Sequence, residues 1–354
     1  MKPILVFGGY GIFGSHVARE LAHLGFTVTI AGRQIEKANA FAQTLGDSHR
    51  ALRADVTQPE TYRSALVEHG IVVNCAGPFS ALGKALLESC LSTKCHYVDI
   101  ADDRDYTKLV RSYHPQFQKA GLFAIPGCSS LPAISGALAL KLNGFGIAQG
   151  KPAPEKIHST LFIGNNNPKG SAAVASALGI LGNPISTSSG VIYGFREGKV
   201  VLFPSPFGRR LVYAFQSPEY DLFPDLFGAK EVRVFVGFEL RWVTKVFHWI
   251  SYFPKPFQWG AKAILQRAGK FNLLLGHSGG AILTEFFWSD HTSASAVLFS
   301  KTEGQRMAAL PCVYAVRLLS QVPPITGSGV RTAYELQGFQ PLLYYLVQEG
   351  FSSF

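Results

Sequence analysis

Charge is scarce in this sequence. Of its 354 residues, 16% are Asp, Glu, Lys or Arg, against 47% hydrophobic. That balance excludes a disordered chain and leaves ample material for packed cores. The length suggests two domains. Lys and Arg (33) outnumber Asp and Glu (23), yet the cations are dispersed, with Arg209-Arg210 the densest pair. Without a basic tract, nucleic acid drops out as a partner, while anionic lipid or a phosphorylated ligand stays open. Cysteine is sparse as well: five residues, at 75, 90, 95, 128 and 312, with no C-x-x-C. Such an odd, unpatterned set reads as reduced thiols, which points to a cytoplasmic setting. No uncharged apolar run of eighteen residues is present, so a spanning helix is not expected. The apolar run at Ile4 stops at Gly8, too early for a signal peptide. The ten His show no H-E-x-x-H, and no metal is expected. Asp99, Asp102 and Asp103 read as carboxylates capping a strand end rather than as a metal cluster.

What is present is most informative near the N-terminus. Ile4–Phe7 is a short apolar run of the kind found in parallel strands buried on both faces. Gly8-Gly9-Tyr10-Gly11-Ile12-Phe13-Gly14 follows, then Val17, Ala18, Leu21, Ala22 and Leu24 at helical spacing, with Gly25 as the stop. Thr27–Ala31 reads as the next strand. A strand, a glycine turn, a helix and a strand in this order give G-x-G-x-x-G its meaning as a dinucleotide-binding loop. In that reading Gly9 permits the tight turn and Gly11 lets the backbone approach a pyrophosphate. Gly14 lets the helix pack on the strand, and the helix N-terminus faces the phosphates. Tyr10, Ile12 and Phe13 belong to the same loop. After the second strand comes Ala31-Gly32-Arg33, with no carboxylate before Glu36. A guanidinium there suits the 2′-phosphate of NADP, so Arg33 is expected to select NADP(H).

The alternation continues. Ala51–Ala54 is a third strand, with Asp55-Val56 placed at the adenine edge. Ile71–Asn74 is a fourth and ends in Cys75-Ala76-Gly77-Pro78-Phe79, a loop at the carboxyl end of a strand, where ligands bind in this architecture. His96–Ile100 and Leu122–Ile125 complete six strands with intervening helices, a doubly wound parallel sheet of the Rossmann type.

The ordered series GGYGIFGSHVARELA, AGR, NCAGPF, HYVDIADD and PGCSSLPAISGALA resembles the saccharopine dehydrogenase/reductase-like family, the NADP-binding branch that includes saccharopine reductases and trans-acting enoyl reductases. The five motifs span roughly residues 1–140. The resemblance implies an NADP(H)-dependent oxidoreductase. It also implies a Rossmann domain, an inserted α/β substrate domain after the sixth strand, and C-terminal helices that pack back on the first domain. It carries over Gly9, Gly11 and Gly14 to the phosphates and Arg33 to the 2′-phosphate. Asn74, Ala76, Gly77 and Pro78 fall beside the nicotinamide ribose, and Asp99 matches the Tyr-Val-Asp motif. Two places depart. Ala101-Asp102-Asp103 stands where the family often has Thr-Gly-Glu. Ser129 replaces an acidic residue in Gly127-Cys128-Ser129-Ser130-Leu131-Pro132, so no proton donor carries over. Asp99 and Tyr10 are candidates by location, and a bound water is another. Phe79, Asp99, Cys128, Ser129 and Ser130 are expected to line the substrate, although the two serines would equally serve as N-caps of the helix from about Pro132. No Tyr has Lys four residues on, which disfavours a short-chain dehydrogenase.

The expected domains are therefore 1–142 (Rossmann), 143–303 (an α+β mixed-sheet substrate domain) and 304–354 (returning helices). Within the second, Ile157–Gly164, Val232–Val236, Ile282–Trp288 and Ala294–Phe299 read as strands. Pro168–Leu181 reads as a helix, and Val191–Phe195 with Val200–Phe203 as a hairpin around Arg196–Lys199. Gly327–Val330 reads as a loop and Gln340–Gly350 as a short helix. The segment 238–272 stands apart for its aromatics and cations. Two readings apply: peripheral contact with an anionic membrane, or an insertion closing on the substrate domain or on the partner of a homodimer. The aromatic second half points to a hydrophobic or lipid-like small-molecule substrate, whose reacting bond (C=N, C=C or C=O) stays open. The alternative is a nucleotide-binding sensor or membrane-associated scaffold without turnover.

Overall fold

A computed structural model describes residues 2–168, 178–254, 276–322, 325–336 and 341–354. The chain divides into two compact units. One comprises Met1–Ser129 with Ala308–Leu346, the other Ser130–Met307 with Val347–Phe354.

The first unit opens with strand β1 (Ile4–Phe7), helix α1 (Ile12–His23), β2 (Val28–Gly32), α2 (Ile35–Gln43) and β3 (Arg50–Arg53). It continues through α3 (Arg63–Leu66), β4 (Ile71–Asn74), α4 (Ala85–Thr93), β5 (His96–Asp99), α5 (Arg104–Ser112), α6 (His114–Lys119) and β6 (Phe123–Ile125). β1 and β4 are buried at every position, as strands covered by helices on both faces must be. The strands pair in parallel in the order β6-β5-β4-β1-β2-β3. The order reverses between β1 and β4, which opens a crevice at their carboxyl ends. Asp103 caps the start of α5 by accepting the Tyr106 N–H (2.8 Å).

In the second unit, helix α7 (Ser135–Ala148) precedes β7 (Lys156–Ile163), β8 (Pro184–Thr187), β9 (Gly190–Tyr193), β10 (Gly198–Phe203) and β11 (Gly208–Ala214). Then come α8 (Glu219–Phe227), β12 (Glu231–Phe238), α9 (Arg241–Ile250), β13 (Gly280–Phe287) and β14 (Ser293–Ser300). Helix α10 (Gly304–Leu319), β15 (Gly329–Val330), α11 (Leu342–Gln348) and β16 (Ser352–Ser353) complete the chain. The second sheet runs β10-β11-β12-β7-β13-β14-β16, antiparallel except for β12 beside β7. One of its clusters is Phe162, Phe203, Phe207, Val212, Phe235 and Phe299. Another joins Leu181, Phe195, Phe215, Val236, Phe247 and Ile250, so α9 closes over the sheet by its apolar side. Aromatic side chains dominate both clusters, and large ring areas supply most of the burial here.

Several boundaries differ from expectation. The first unit ends at Ser129 rather than 142, because α7 packs on β13 and β14, where Thr284 Oγ1 donates to the Ser135 carbonyl (3.3 Å). Residues 347–354 join the second unit, where β16 pairs with β14. The hairpin around Arg196–Lys199 does not form. β9 pairs with β8, and β10 pairs with β11, so the turn joins two different sheets. Gly327–Val330 is more than a loop, since Gly329-Val330 adds a seventh parallel strand beside β6. Gly329 has φ +96°, and a Cβ there would lie 2.7 Å from the His114 ring. Residues 169–177 and 255–275 lie outside the described residues, and with them most of the helix Pro168–Leu181 and much of the segment 238–272. Ser130–Ala148 (19 residues, mean hydropathy 1.3) is long and apolar enough to cross a membrane by composition, but it is largely buried as a core helix.

Candidate nucleotide-binding site

The carboxyl ends of β1, β2, β3 and β4 form one rim of the first unit. At its centre the chain leaves β1 through Gly8, whose φ is +68° and whose N–H donates to the Ala31 carbonyl (2.8 Å). The left-handed residue of the turn is therefore Gly8, not Gly9. Gly9 is needed for closeness, since a Cβ there would meet the Ile30 side chain and the Val6 carbonyl at 3.1 Å. The Gly11 N–H returns to the Gly8 carbonyl (2.8 Å) and Gly11 N-caps α1. A Cβ on Gly14 would lie 2.2 Å from the Gly8 carbonyl oxygen, so α1 reaches the turn only because this position has no side chain. The first turn of α1 carries no acidic residue, and no side chain caps it. Its N–H groups and positive dipole end are thus left for an anion, beside exposed Gly11 and half-buried Ile12 and Phe13.

Cations sit at one end of the rim. Arg33 follows β2, is exposed, and makes no ion pair among the described residues. Tyr10 folds over this strand end, so that a Cβ on Gly32 would lie 2.4 Å from its ring, and its hydroxyl accepts the Gln34 N–H (3.2 Å). Tyr10 therefore lies at the end of β2, three strands or about 14 Å from β5, which carries Asp99, the other candidate proton donor. Exposed Arg53 ends β3 in register with Gly32, a second cation that the sequence reading missed. Its only signal was position, one strand over from Arg33. Asp55 and Val56 are half-buried beyond β3. Hydrogen bonds from the Thr57 N–H (3.0 Å) and hydroxyl (2.7 Å) hold the Asp55 carboxyl below its ordinary range, with a further contribution from Arg33.

The other end of the rim is closed. Asn74 and Asp99 are register neighbours and fully buried. Asn74 Oδ1 accepts the Ala76 N–H (3.0 Å), shaping the loop in which Gly77 and Pro78 are exposed and Ala76 half-buried. Asp99 Oδ1 accepts the N–H groups of Ala101 (2.9 Å) and Gly127 (2.8 Å), pinning the turns after β5 and β6. Among the described residues, Asn74 Nδ2 and Asp99 Oδ2 have no hydrogen-bond partner. Burial pushes the Asp99 carboxyl up to about 6. Cys128 is also fully buried; its Sγ donates to the Ile125 carbonyl (3.4 Å), and burial pushes its thiol well above the ordinary value. Phe79 is buried with its ring 5.4 Å from that of Tyr106. The Cys312 thiol of α10 is pushed well above its ordinary value, first by burial and then by nearby Cys75, a proximity across the sequence that no spacing reveals.

Of the expected substrate-lining residues, then, Phe79, Asp99, Cys128 and Ser130 are buried, and Ser129 alone is half-buried. Neither serine caps the helix. Leu131 is extended (φ −116°, ψ 127°), and α7 begins after Ile134 without a side-chain cap. The reason is the irregular turn Ser130–Ile134, which inserts a bend where a regular helix start was expected.

Comparison with known proteins agrees with this geometry. Residues 4–125 match the family model described as the saccharopine dehydrogenase NADP binding domain. A carboxyaminopropylagmatine dehydrogenase of Synechocystis is 30% identical over 155 residues, 40% of this chain and 38% of that protein. A probable mitochondrial saccharopine dehydrogenase-like oxidoreductase of Arabidopsis thaliana is 24% identical over 152 residues, 38% of this chain and 34% of its own length. A lipid droplet localized protein of Caenorhabditis elegans is 25% identical over 154 residues, 40% and 36% of the two chains. The aligned stretch thus spans little more than a third of each of these relatives. Apo saccharopine dehydrogenase (L-Glu forming) from Saccharomyces cerevisiae shares the fold over 94% of both chains, with a TM-score of 0.66 at 14% identity. The glycine cradle and the uncapped α1 fall within residues 4–125, the stretch that matches the saccharopine dehydrogenase NADP binding domain.

Proposed function

We propose that the protein is an NADP(H)-dependent oxidoreductase that moves hydride to or from a hydrophobic, lipid-like small molecule. The observation that carries this reading is the cradle at Gly8–Gly14 with unpaired Arg33 beside it, which fits a pyrophosphate and a 2′-phosphate at once. When bound, the nicotinamide supplies the hydride chemistry; the chain supplies position. Gly11 and the first turn of α1 hold the pyrophosphate. Arg33, Arg53 and Tyr10 surround the 2′-phosphate. Asp55 and Val56 border the adenine. Asn74 shapes the Ala76–Pro78 loop beside the nicotinamide ribose. Asp99 acts as a positioning residue, fixing two strand-end turns through one oxygen. With Asp99 and Cys128 both buried, a bound water is the preferred proton source. The aromatic clusters of the second unit support an apolar substrate over a diacidic one, and the five free thiols fit a reducing compartment.

The test is consumption of NADPH absorbance over a panel of apolar imines, enals and ketones. Turnover with any class supports the reading and names the bond. The closed β4–β6 end favours one second reading, a nucleotide-responsive sensor. Tight NADPH binding with no turnover on any class would replace the enzyme by that sensor.

A further inference from the structure

Helix α9 has two unlike sides. Thr244, Phe247 and Ile250 are buried, with the Phe247 ring 5.4 Å from Phe195 and 5.2 Å from Phe238. The other side carries Trp242, Lys245 and Trp249, spaced three and four residues apart, with Tyr252 just beyond. Trp242 is 57% exposed, Trp249 59% and Tyr252 57%. Large aromatics are rarely left so open, and here they share one stripe. Arg241 and Lys245 are exposed beside them and make no ion pair among the described residues. The sequence holds no Asp or Glu between Glu239 and Glu285. Glu239 itself is buried, accepting the N–H groups of Asn165 (2.8 Å) and His277 (2.7 Å), so it does not offset the stripe.

We propose that this face of α9 is a docking surface for an anionic lipid bilayer. Trp and Tyr settle where a ring can meet both acyl chains and headgroups, and unpaired Arg and Lys are drawn to anionic headgroups. A second copy of the chain fits less well, because a twofold contact would set Arg241 and Lys245 against their own counterparts. The inference is independent of the proposed reaction, since lipid binding and nucleotide binding are read separately.

The experiment is co-sedimentation of the full chain with vesicles of phosphatidylcholine alone and of phosphatidylcholine with phosphatidylglycerol. The wild type should sediment with the anionic vesicles, much less with the neutral ones, and less again as salt rises. Trp242→Ser with Trp249→Ser should abolish sedimentation, and Arg241→Glu with Lys245→Glu should weaken it by about tenfold or more. NADPH affinity, unchanged in each variant, verifies that the fold is kept. Failure of the wild type to bind anionic vesicles overturns the proposal. So does equal binding by wild type and variants, or a stripe that instead governs the oligomeric state without lipid.

Discussion

The two ends of one strand rim are built on opposite principles. At the β2–β3 end, Arg33 and Arg53 are exposed and Tyr10 lies across Gly32. At the β4–β6 end, Asn74, Asp99 and Cys128 are sealed from solvent, and Asn74 Oδ1, Asp99 Oδ1 and Cys128 Sγ bond neighbouring backbone. The difference teaches that one end leaves charged side chains open to a ligand, while the other spends its polar side chains on holding its own loops. Asp99 and Tyr10 were both candidate proton donors by location, yet Asp99 braces two strand-end turns and Tyr10 lies across Gly32 at the other end of the rim.

Substitutions can break this contrast. The largest effect is expected at its hinge. Gly14→Val must place carbon against the Gly8 carbonyl, which has no slack, so calorimetry should detect no NADPH binding and the melting temperature should fall. At the closed end, Asp99 holds its proton more tightly folded than unfolded. Its contribution to stability is therefore complete below its ordinary value of 3.8 and is lost as pH rises through about 6, by about 3 kcal/mol. Asp99→Asn keeps the acceptor for Ala101 and Gly127 and should flatten that part of the denaturation profile, whereas Asp102, also raised to about 6 by burial, keeps its share. A wild-type profile that gains stability over that range would contradict the brace. At the open end, Tyr10→Phe removes one exposed hydrogen bond to Gln34 and should weaken NADPH by about 0.5–1.5 kcal/mol without altering the pH profile.

Much of the open end was legible in the sequence, because backbone needs dictated it. A buried strand, a glycine turn and an arginine after the second strand are local signals, and each fell where expected apart from the shift of the left-handed residue to Gly8. The closed end was not legible, since burial of Asp99 and Cys128 and the meeting of Cys75 with Cys312 depend on distant parts of the chain. The same holds for Gly329-Val330, two residues that become a strand only beside β6. In the second unit, alternation located β13 and β14 correctly. It could not tell that β9 and β10, four residues apart, pair with different partners.

The most direct measurement is calorimetric titration of NADPH and of NADH into the wild type and Arg33→Ala. The wild type should prefer NADPH. The substitution should cost about 1.5–3 kcal/mol for NADPH and almost nothing for NADH. Equal loss for both nucleotides would remove Arg33 from the 2′-phosphate, and no binding of either by the wild type would contradict the nucleotide site and the oxidoreductase built on it.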